Sequence, residues 1–593
     1  MCAVSHTWHL KFYSLAAGLC DWDERVSSGE HADVLVVGGG PVGLSLGMDL
    51  AQRRVNVIVA EARAPGEPPN VRCNHVSART MEIFRRLGLA SAVRDAGLPA
   101  DYPNDVVFKT TATGIELGRI PIPCRAKRFT YKDGPDGWWP TPEPPHRINQ
   151  IYLEPVMFAH AAAMDGLRIL NRTLIVDFQQ REDGVLANAR DLETNQIREI
   201  FARYLVGCDG AHSDVRHRLG VALKGDSHLV DVQSTYIRAP QLLGMIQGRA
   251  WAIDCINPRN CGLIFAIDGR ERWLIHHFLR PGERFSSALD RNRCVRQILG
   301  VDPSFEFDVL GQEDWTARRM LAERFRDGRV FLCGDAAHIW VPFAGYGMNA
   351  GIADAMDLSW MLAGVTEGWA ASALLDAYEI ERRPITDQVS RYAMATSLAR
   401  TAQLGAIPEA IEHQGPEGDA IRARIGRKAY ETNVGQFCCG GLNFGYFYSN
   451  SPIIAYDGEE APTYNIYDFE QSTAPGCRSP HLWLRDGQSL YDVLGPGFTL
   501  MRRDPQIDIS GLKTAATDRG VPFAVVDLDS DQTATLYPRK LTLVRPDQHV
   551  AWRDDQLPNN PAALMDRIRG ALPHSLCFAD VEEVTGAPTS SFN

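Results

Sequence analysis

No stretch of this 593-residue chain holds the ~20 consecutive apolar residues of a membrane-spanning helix, so no membrane partner is expected. Basic charge is also in short supply: 61 Lys and Arg stand against 73 Asp and Glu, for a formal net charge of −12. Nucleic acid and anionic membrane surfaces are therefore not expected partners. The 13 cysteines are odd in number and scattered. None forms a Cys-x-x-Cys pair, and Cys438-Cys439 lacks the gap of a zinc knuckle, so no metal site is expected. Several, such as Cys208 and Cys333, fall inside apolar strands, which suits reduced thiols in a cytoplasm. Internal repeats and low-complexity tracts are lacking too.

The composition is that of an ordinary globular protein, 45% hydrophobic and 23% charged. The length exceeds what one core supports, so two or three domains are expected. Residues 1–30 carry no motif. Phe12–Cys20 is a short apolar stretch after Lys11, but the basic flank is thin and no small-x-small cleavage pattern follows. The segment reads as an appended tail or an early start rather than a signal peptide.

The most informative stretch is residues 34–61, VLVVGGGPVGLSLGMDLAQRRVNVIVAE. Val34 to Val37 read as a buried parallel strand. Gly38, Gly40 and Gly43 then follow in Gly-x-Gly-x-x-Gly spacing: the first permits a tight turn, the second a close approach to a pyrophosphate, the third close helix–sheet packing. Pro41 and Val42 open the helix, whose N-terminal amides point at the phosphates. A second strand, 55–60, ends in Glu61, about 20 residues beyond Gly38, where an acid can bind a ribose diol. Together these predict a dinucleotide site.

Two later segments repeat the strand-then-glycine theme. Tyr204–Cys208 reads as a strand leading into Asp209-Gly210, with Arg216 shortly after. Val330–Cys333 leads into Gly334-Asp335, a Gly-rich loop and a helix from about Met348. Each alone reads as an ordinary turn. In this order behind the first unit, the three segments resemble the FAD-dependent aromatic hydroxylases, single-component flavoprotein monooxygenases of the p-hydroxybenzoate hydroxylase and phenol hydroxylase type. The resemblance runs from about residue 31 to the end of the chain. It implies FAD as cofactor, NADPH or NADH as co-substrate, and O₂ and a phenolic or polycyclic aromatic compound as reactants. The implied reaction is ring hydroxylation through a flavin hydroperoxide.

By the same resemblance Arg72 joins the pyrophosphate site, Gln150 lies near the ribityl chain and Asp335 accepts ribityl hydroxyls. Asp209 and Gly210 border the groove where the nicotinamide docks, in keeping with the lack of a second Gly-x-Gly-x-x-Gly unit. Pro342 lies over the ring. Gly345, Gly347, Met348 and Asn349 form the loop and helix start whose dipole faces the pyrimidine edge. Val341, Ala344, Tyr346 and Asp357 depart from the commoner family pattern. The weak link is substrate activation. Phenol-hydroxylase-like members carry an aspartate where this chain has Asn74, which takes no proton near neutral pH. His75 beside it can. His276 and His277 are rivals, and in a strand only one of them can face the ring.

The expected architecture is α/β: a Rossmann-type FAD-binding domain with an inserted α+β substrate domain and a C-terminal thioredoxin-like domain. The FAD-binding domain spans 31–405 in segments 31–103, 150–220 and 311–405. The substrate domain is inserted as 104–149 and 221–310, with alternating stretches such as Trp273–Leu279. Trp138-Trp139, in a Pro-rich loop, either line an aromatic pocket or pack at the surface. Residues 406–460 read as a linker with one helix. Residues 461–593 resemble the thioredoxin-like tail of the longer phenol-hydroxylase members. There Cys477 and Cys577 are unaccompanied, so a dimerising or stabilising role is expected, and a homodimer with it. The alternatives are a flavin epoxidase, halogenase or dehydrogenase on the same scaffold, or a non-enzymatic FAD-fold binding protein. A halogenase would carry a Trp-x-Trp-x-Ile segment, which this chain lacks.

Overall fold

A computed structural model describes residues 30–69, 71–72, 74–280, 283–285, 290–341, 345–404, 407–529 and 533–572. The tail expected at 1–30 thus lies outside the described residues, apart from Glu30. The molecule is built on three sheets.

The first sheet has a parallel centre ordered Val330–Leu332, Ile197–Gly207, Glu30–Val37, Val57–Ala60, Leu167–Leu170. Val34, Leu35 and Val36 are completely buried, as a strand covered on both faces must be. The register sets Val34 against Val57 on one side and Tyr204 on the other. Three strands, 30–37, 197–207 and 330–332, therefore end at one edge, where the three glycine-bearing turns meet. The hairpin Thr173–Gln180 and Val185–Asp191 widens this sheet beyond Ile197–Gly207. Helix Pro41–Gln52 packs against the sheet and against the long helix Tyr346–Thr366.

The second sheet is mostly antiparallel. Its order is His338–Ile339, Asp308–Ala322, Leu223–Arg238, Arg272–Phe278, Gly262–Ala266, Ala252–Cys255, Val106–Lys109, Glu116–Ile120. It takes Asp308–Ala322 whole, so a domain boundary at 310 would cut a single strand that pairs along its length with Leu223–Arg238. The third sheet is ordered Phe523–Asp527, Phe498–Arg502, Leu541–Val544, Val550–Asp554, with helices Ser510–Asp518 and Pro561–Ile568. Cys477 is a free, buried cysteine, and Cys577 lies outside the described residues.

The stretch read as a linker is built into the core. Helix Pro416–Phe437 lays Ala429 and Phe437 into the core of the second sheet, while Cys439, Leu442 and Tyr446 join a cluster with Trp340 and Tyr346. Its apolar residues are spaced too irregularly to announce this in the sequence. Trp138 and Trp139 stack on each other at 5.8 Å, and Trp139 sets its ring edge to Phe444. Among the described residues no helix is long and apolar enough to cross a membrane.

Four buried histidines are expected to weaken the fold in acid. Burial pushes His146 and His481 down to about 3 and His277 and His549 to about 4. The unfolded chain therefore binds protons at these groups from about pH 6.5 downward, while the native state stays neutral until pH 3–4. Asp357, pushed up to about 7 chiefly by burial, works the other way, because it holds a proton only in the native state. At pH 5 the four histidines favour unfolding, while Asp357 and the carboxyls of Asp136, Asp209 and Asp335, which burial also raises, oppose it. The melting temperature of the protein should fall steadily from pH 7 to pH 5; a flat or rising profile would contradict the buried neutral histidines.

Candidate active site

The dinucleotide loop is shaped by contacts that only glycine tolerates. Gly38 has φ +106, and a Cβ there would lie 2.4 Å from the Cys208 carbonyl oxygen. A Cβ on Gly43 would lie 2.0 Å from the Gly38 carbonyl oxygen, so the helix sits directly on the turn. Gly40 differs: it caps the helix with ordinary extended backbone, and its missing Cβ faces open space. Pro41 follows at the first helical position, where its missing N–H costs nothing. Val42 touches the positions where side chains would stand on Gly334 and Gly351. Gly351, unmarked by the sequence motifs, thus lets the long helix approach the Gly334 turn.

Glu61 ends the second strand and accepts from Gly39 N–H at 2.7 Å and Arg63 N–H at 2.8 Å. Arg63 also donates to Glu154 at 2.8 Å, and Glu154 accepts from Gln150 one helical turn earlier. Gln150, the first residue of helix Gln150–Ala162, is thereby linked to Glu61 through two residues the motifs did not mark. The four-residue spacing of Gln150 and Glu154 was the available signal.

Asp209 accepts from Val215 N–H at 3.0 Å and anchors the turn at Gly210, whose φ is +79 and whose side-chain position is open. Arg216 donates to the Ala336 carbonyl at 3.0 Å and so ties this turn to the Gly334-Asp335 turn. Asp335 is reached by solvent yet surrounded by protein, as at the floor of a cleft. Burial raises its carboxyl above the usual range, while the charges of His338 and Arg72 oppose the rise. Arg72 itself is paired with Glu313 of the second sheet.

The long helix begins at Tyr346, two residues earlier than expected, with Gly345 as its cap at φ +65. Gly347 in its first turn faces Asp335, and Met348 packs against the first-sheet core. Asn349 is buried and acts as a staple. Its amide donates to the carbonyls of His75 and Gly345, at 3.1 and 2.6 Å, and its oxygen accepts from Ser77 N–H at 2.9 Å. Pro342 lies outside the described residues.

His75 and Asn74 are therefore brought to the helix start. Asn74 accepts from Asn149 at 2.5 Å. The His75 ring lies 6.2 Å from Tyr346, and its Nδ1 meets the guanidinium of Arg147. His276 and His277 point to opposite faces of their strand, as period-two alternation requires. His277 meets Asn260 at 3.0 Å, and His276 Nδ1 meets the Ser234 hydroxyl at 2.7 Å. Ser234 also accepts from Trp315 Nε1 at 2.7 Å. His276 pairs across the sheet with Ser234 and Ser234 with Glu313, so this face is the one whose Glu313 reaches Arg72. It carries a run of ring contacts, Phe437–Trp251–Phe265–His276–Trp315, with centroids 5.1–5.9 Å apart.

These residues fit an FAD. Backbone at Gly40 and Gly210 is open to close approach, Glu61 and Asp335 offer carboxylates of the kind that bind sugar hydroxyls, and the helix that starts after Gly345 brings Gly347 to Asp335. Fold and site together define a dinucleotide-binding oxidoreductase whose cleft is roofed by an aromatic-bearing sheet. The FAD binding domain family model matches residues 31–393, and the aromatic-ring hydroxylase C-terminal model matches 472–572. An FAD-dependent monooxygenase of Emericella nidulans is 31% identical over 90% of this chain and 89% of its own length. Tetracenomycin B2 monooxygenase-dioxygenase of Streptomyces olivaceus is 31% identical over 90% and 97%. The rebeccamycin biosynthetic enzyme RebC with reduced flavin superposes with a TM-score of 0.83 at 34% identity, over 92% of this chain and all of that one. Aklavinone-11 hydroxylase, solved with FAD and aklavinone, gives 0.73 at 28% identity over 92% and 99%. The chain belongs to the FAD-dependent aromatic-ring hydroxylases.

Proposed function

We propose that this enzyme uses NADH or NADPH and O₂ to hydroxylate a fused, phenolic ring system. The observation that carries the fused-ring reading is the run of five rings from Phe437 to Trp315. Such a wall offers offset and edge contacts to a flat ligand larger than one ring. Among the relatives, the named substrates tetracenomycin B2 and aklavinone point the same way.

Bound FAD supplies the electron transfer and oxygen chemistry. The chain's own residues hold and orient it. Gly38, Gly40, Pro41, Val42, Gly43 and Glu61 take the ADP half. Arg72 serves the pyrophosphate, and Gln150 and Asp335 serve the ribityl chain. Asp209 and Gly210 shape the groove for the nicotinamide. Gly334, Gly345, Gly347, Met348 and Asn349, with Pro342, shape the flavin-ring pocket. His75 and His276 are the polar groups facing the substrate, and Asn74 orients the His75 segment. We place the segment boundaries of the FAD-binding and substrate domains as read from the motifs, with Asp308–Ala322 assigned to the latter. The C-terminal unit stabilises the others and supports a homodimer in a reducing cytoplasm.

The test is NAD(P)H oxidation by purified holoenzyme across phenols, hydroxybenzoates and polycyclic phenols, with hydrogen peroxide assayed in parallel. A polycyclic phenol should accelerate oxidation many-fold with little peroxide. Acceleration by monocyclic phenols alone would exclude the fused-ring reading. Size-exclusion chromatography of the same sample tests the homodimer.

A further inference from the structure

Cys208 and Cys333 stand side by side at the ends of two neighbouring parallel strands of the first sheet. Leu332 is in register with Gly207, so the next pair along is Cys333 with Cys208. Cys333 N–H donates to the Gly207 carbonyl at 3.0 Å, and Cys208 N–H donates to the Val37 carbonyl at 2.8 Å. Residues in register on neighbouring strands point to the same face. A Cβ on Gly207 would lie 2.9 Å from the Val215 side chain, so the two cysteines point to the opposite face. There the Cys333 thiol lies 3.7 Å from the Gly351 carbonyl of the long helix, and the two thiols are within hydrogen-bonding reach of each other. Both cysteines are free. Neighbouring strands lie about 4.8 Å apart, inside the Cα separation of about 4.4–6.8 Å that a disulfide spans.

The two thiols are unequal. Cys208 is half-buried and Cys333 is fully buried. Burial raises the Cys333 thiol well above its ordinary value, and the Cys208 thiol beside it adds to the rise. An oxidant from solvent therefore meets Cys208 first, and Cys333 stands next to it as the resolving partner.

The surroundings decide what a bridge would move. A disulfide holds its sulfurs closer than two thiols in contact. Cys333 has little freedom: its thiol meets Gly351, and a Cβ on Gly334 would lie 3.1 Å from Val42 and 3.5 Å from Gly351. Cys208 runs instead into the Asp209-Gly210 turn, and nothing lies within 4 Å of the Gly210 side-chain position. The displacement therefore falls on that turn.

We propose that Cys208 and Cys333 form a peroxide-responsive dithiol whose bridge displaces the Asp209-Gly210 turn and weakens the docking of NADH or NADPH. The oxidant is hydrogen peroxide, which a flavin monooxygenase releases when reduced oxygen is not passed to a ring. The Cys208 sulfur takes one peroxide oxygen, giving a sulfenic acid and water. The Cys333 sulfur then attacks the Cys208 sulfur: the S–S bond forms, the S–O bond breaks and a second water leaves. Two thiols and one peroxide become one disulfide and two waters, with two electrons passing from sulfur to peroxide. A thiol reductant reverses the bridge by exchange. Peroxide from uncoupled turnover thus slows the intake of the electrons that make it. The effect on docking rests on the reading of Asp209-Gly210 as the nicotinamide groove; the bridge itself does not.

The test treats holoenzyme with an excess of hydrogen peroxide and returns half of it to dithiothreitol. Free thiols are blocked, the protein is digested, and peptides are read by mass spectrometry. The Cys208 and Cys333 peptides should be joined after peroxide and separate after dithiothreitol. In anaerobic reduction of the bound flavin, the half-saturating NADH or NADPH concentration should be at least about five-fold higher for the bridged protein. Its FAD content should be unchanged. Cys208→Ser and Cys333→Ala should each lose the joined peptide and the shift, and dock the nicotinamide like untreated wild type. Should Cys333→Ala fail to fold, as read by melting temperature, the half-buried Cys208→Ser carries the comparison.

If the two peptides stay separate at a peroxide concentration that oxidises other thiols of the chain, the proposal falls. It falls too if the bridged protein docks the nicotinamide as before, or sheds its FAD. Gly210→Ala in untreated enzyme tells the two layers apart. Unchanged docking in that variant removes the groove reading and with it the effect of the bridge. Weakened docking there, beside unchanged docking in the bridged wild type, leaves the groove in place and overturns the proposal alone.

Discussion

Gly43→Ala should yield a flavin-poor and destabilised protein, whereas Gly40→Ala should yield a flavin-poor but stable one. The two glycines stand three residues apart in one motif, yet their surroundings differ. A methyl group on Gly43 would lie 2.0 Å from the Gly38 carbonyl oxygen, a backbone atom that cannot turn aside. The helix must then lift off the turn, at a cost of about 3 kcal/mol by analogy with overpacked cores. At Gly40 the backbone is extended and nothing lies within 4 Å of the added atom, so the apo fold tolerates it. What the methyl occupies is the space through which a pyrophosphate approaches. FAD affinity should fall at least about ten-fold, equivalent to about 1.4 kcal/mol. Absorbance of the purified variants reads FAD content, and melting of the apo forms reads stability. A Gly40→Ala protein carrying full flavin would show that the loop is not the cradle.

The second large effect is expected far from the cleft. Arg545→Met should destabilise the enzyme by about 3–5 kcal/mol, the usual consequence of stripping one partner from a buried ion network. Arg545 donates to both oxygens of Glu381, at 2.6 and 2.8 Å, and to Asp547 at 2.6 Å, with all three side chains fully buried. Its guanidinium also lies 5.2 Å from the rings of Trp360 and Tyr448. Glu381 belongs to helix Asp376–Leu404, whereas Arg545 and Asp547 belong to the turn between strands Leu541–Val544 and Val550–Asp554. The network therefore locks the C-terminal sheet to the catalytic body. Loss of Arg545 leaves two buried carboxylates facing each other, which raises the proton affinity of at least one. The variant should lose more stability at pH 8 than at pH 6, read as the midpoint of flavin release on heating. Replacing all three residues by neutral isosteres should restore much of the loss, because the exposed cost is the unpaired charge rather than the missing bridge.

Much of this was legible from the chain. The run Val34 to Val37, the glycines at 38, 40 and 43, and the acid at 61 announced a strand, turn, helix and second strand in the places where they occur. Asp209-Gly210 and Gly334-Asp335 were visible as strand-end turns, and they meet at one sheet edge because the strands before them are neighbours. Alternation along Arg272–Phe278 foretold that His276 and His277 would part. These features are local. Backbone geometry, period-two alternation and the steric freedom of glycine act over a few residues, so a linear reading recovers them.

Other features have no local signature. Residues 406–460 looked like a connector because their apolar positions have no regular period, yet among the described ones several pack into two cores. His75 looked like a base because an isolated imidazole titrates near neutrality. Only the fold brings its Nδ1 to the guanidinium of Arg147, 72 positions along the chain. The same holds for Arg72 with Glu313 and for Arg545 with Glu381, which are separated by 241 and 164 positions. A long arginine names no partner in sequence, since any distant carboxylate, ring or imidazole can complete it. Strands and turns were thus determined by the sequence alone, through short-range sterics and periodicity, and the order of the three glycine turns carried the resemblance that implies FAD. Which charges are paired and how the C-terminal sheet is locked were decided only when the tertiary fold set the distances and excluded water.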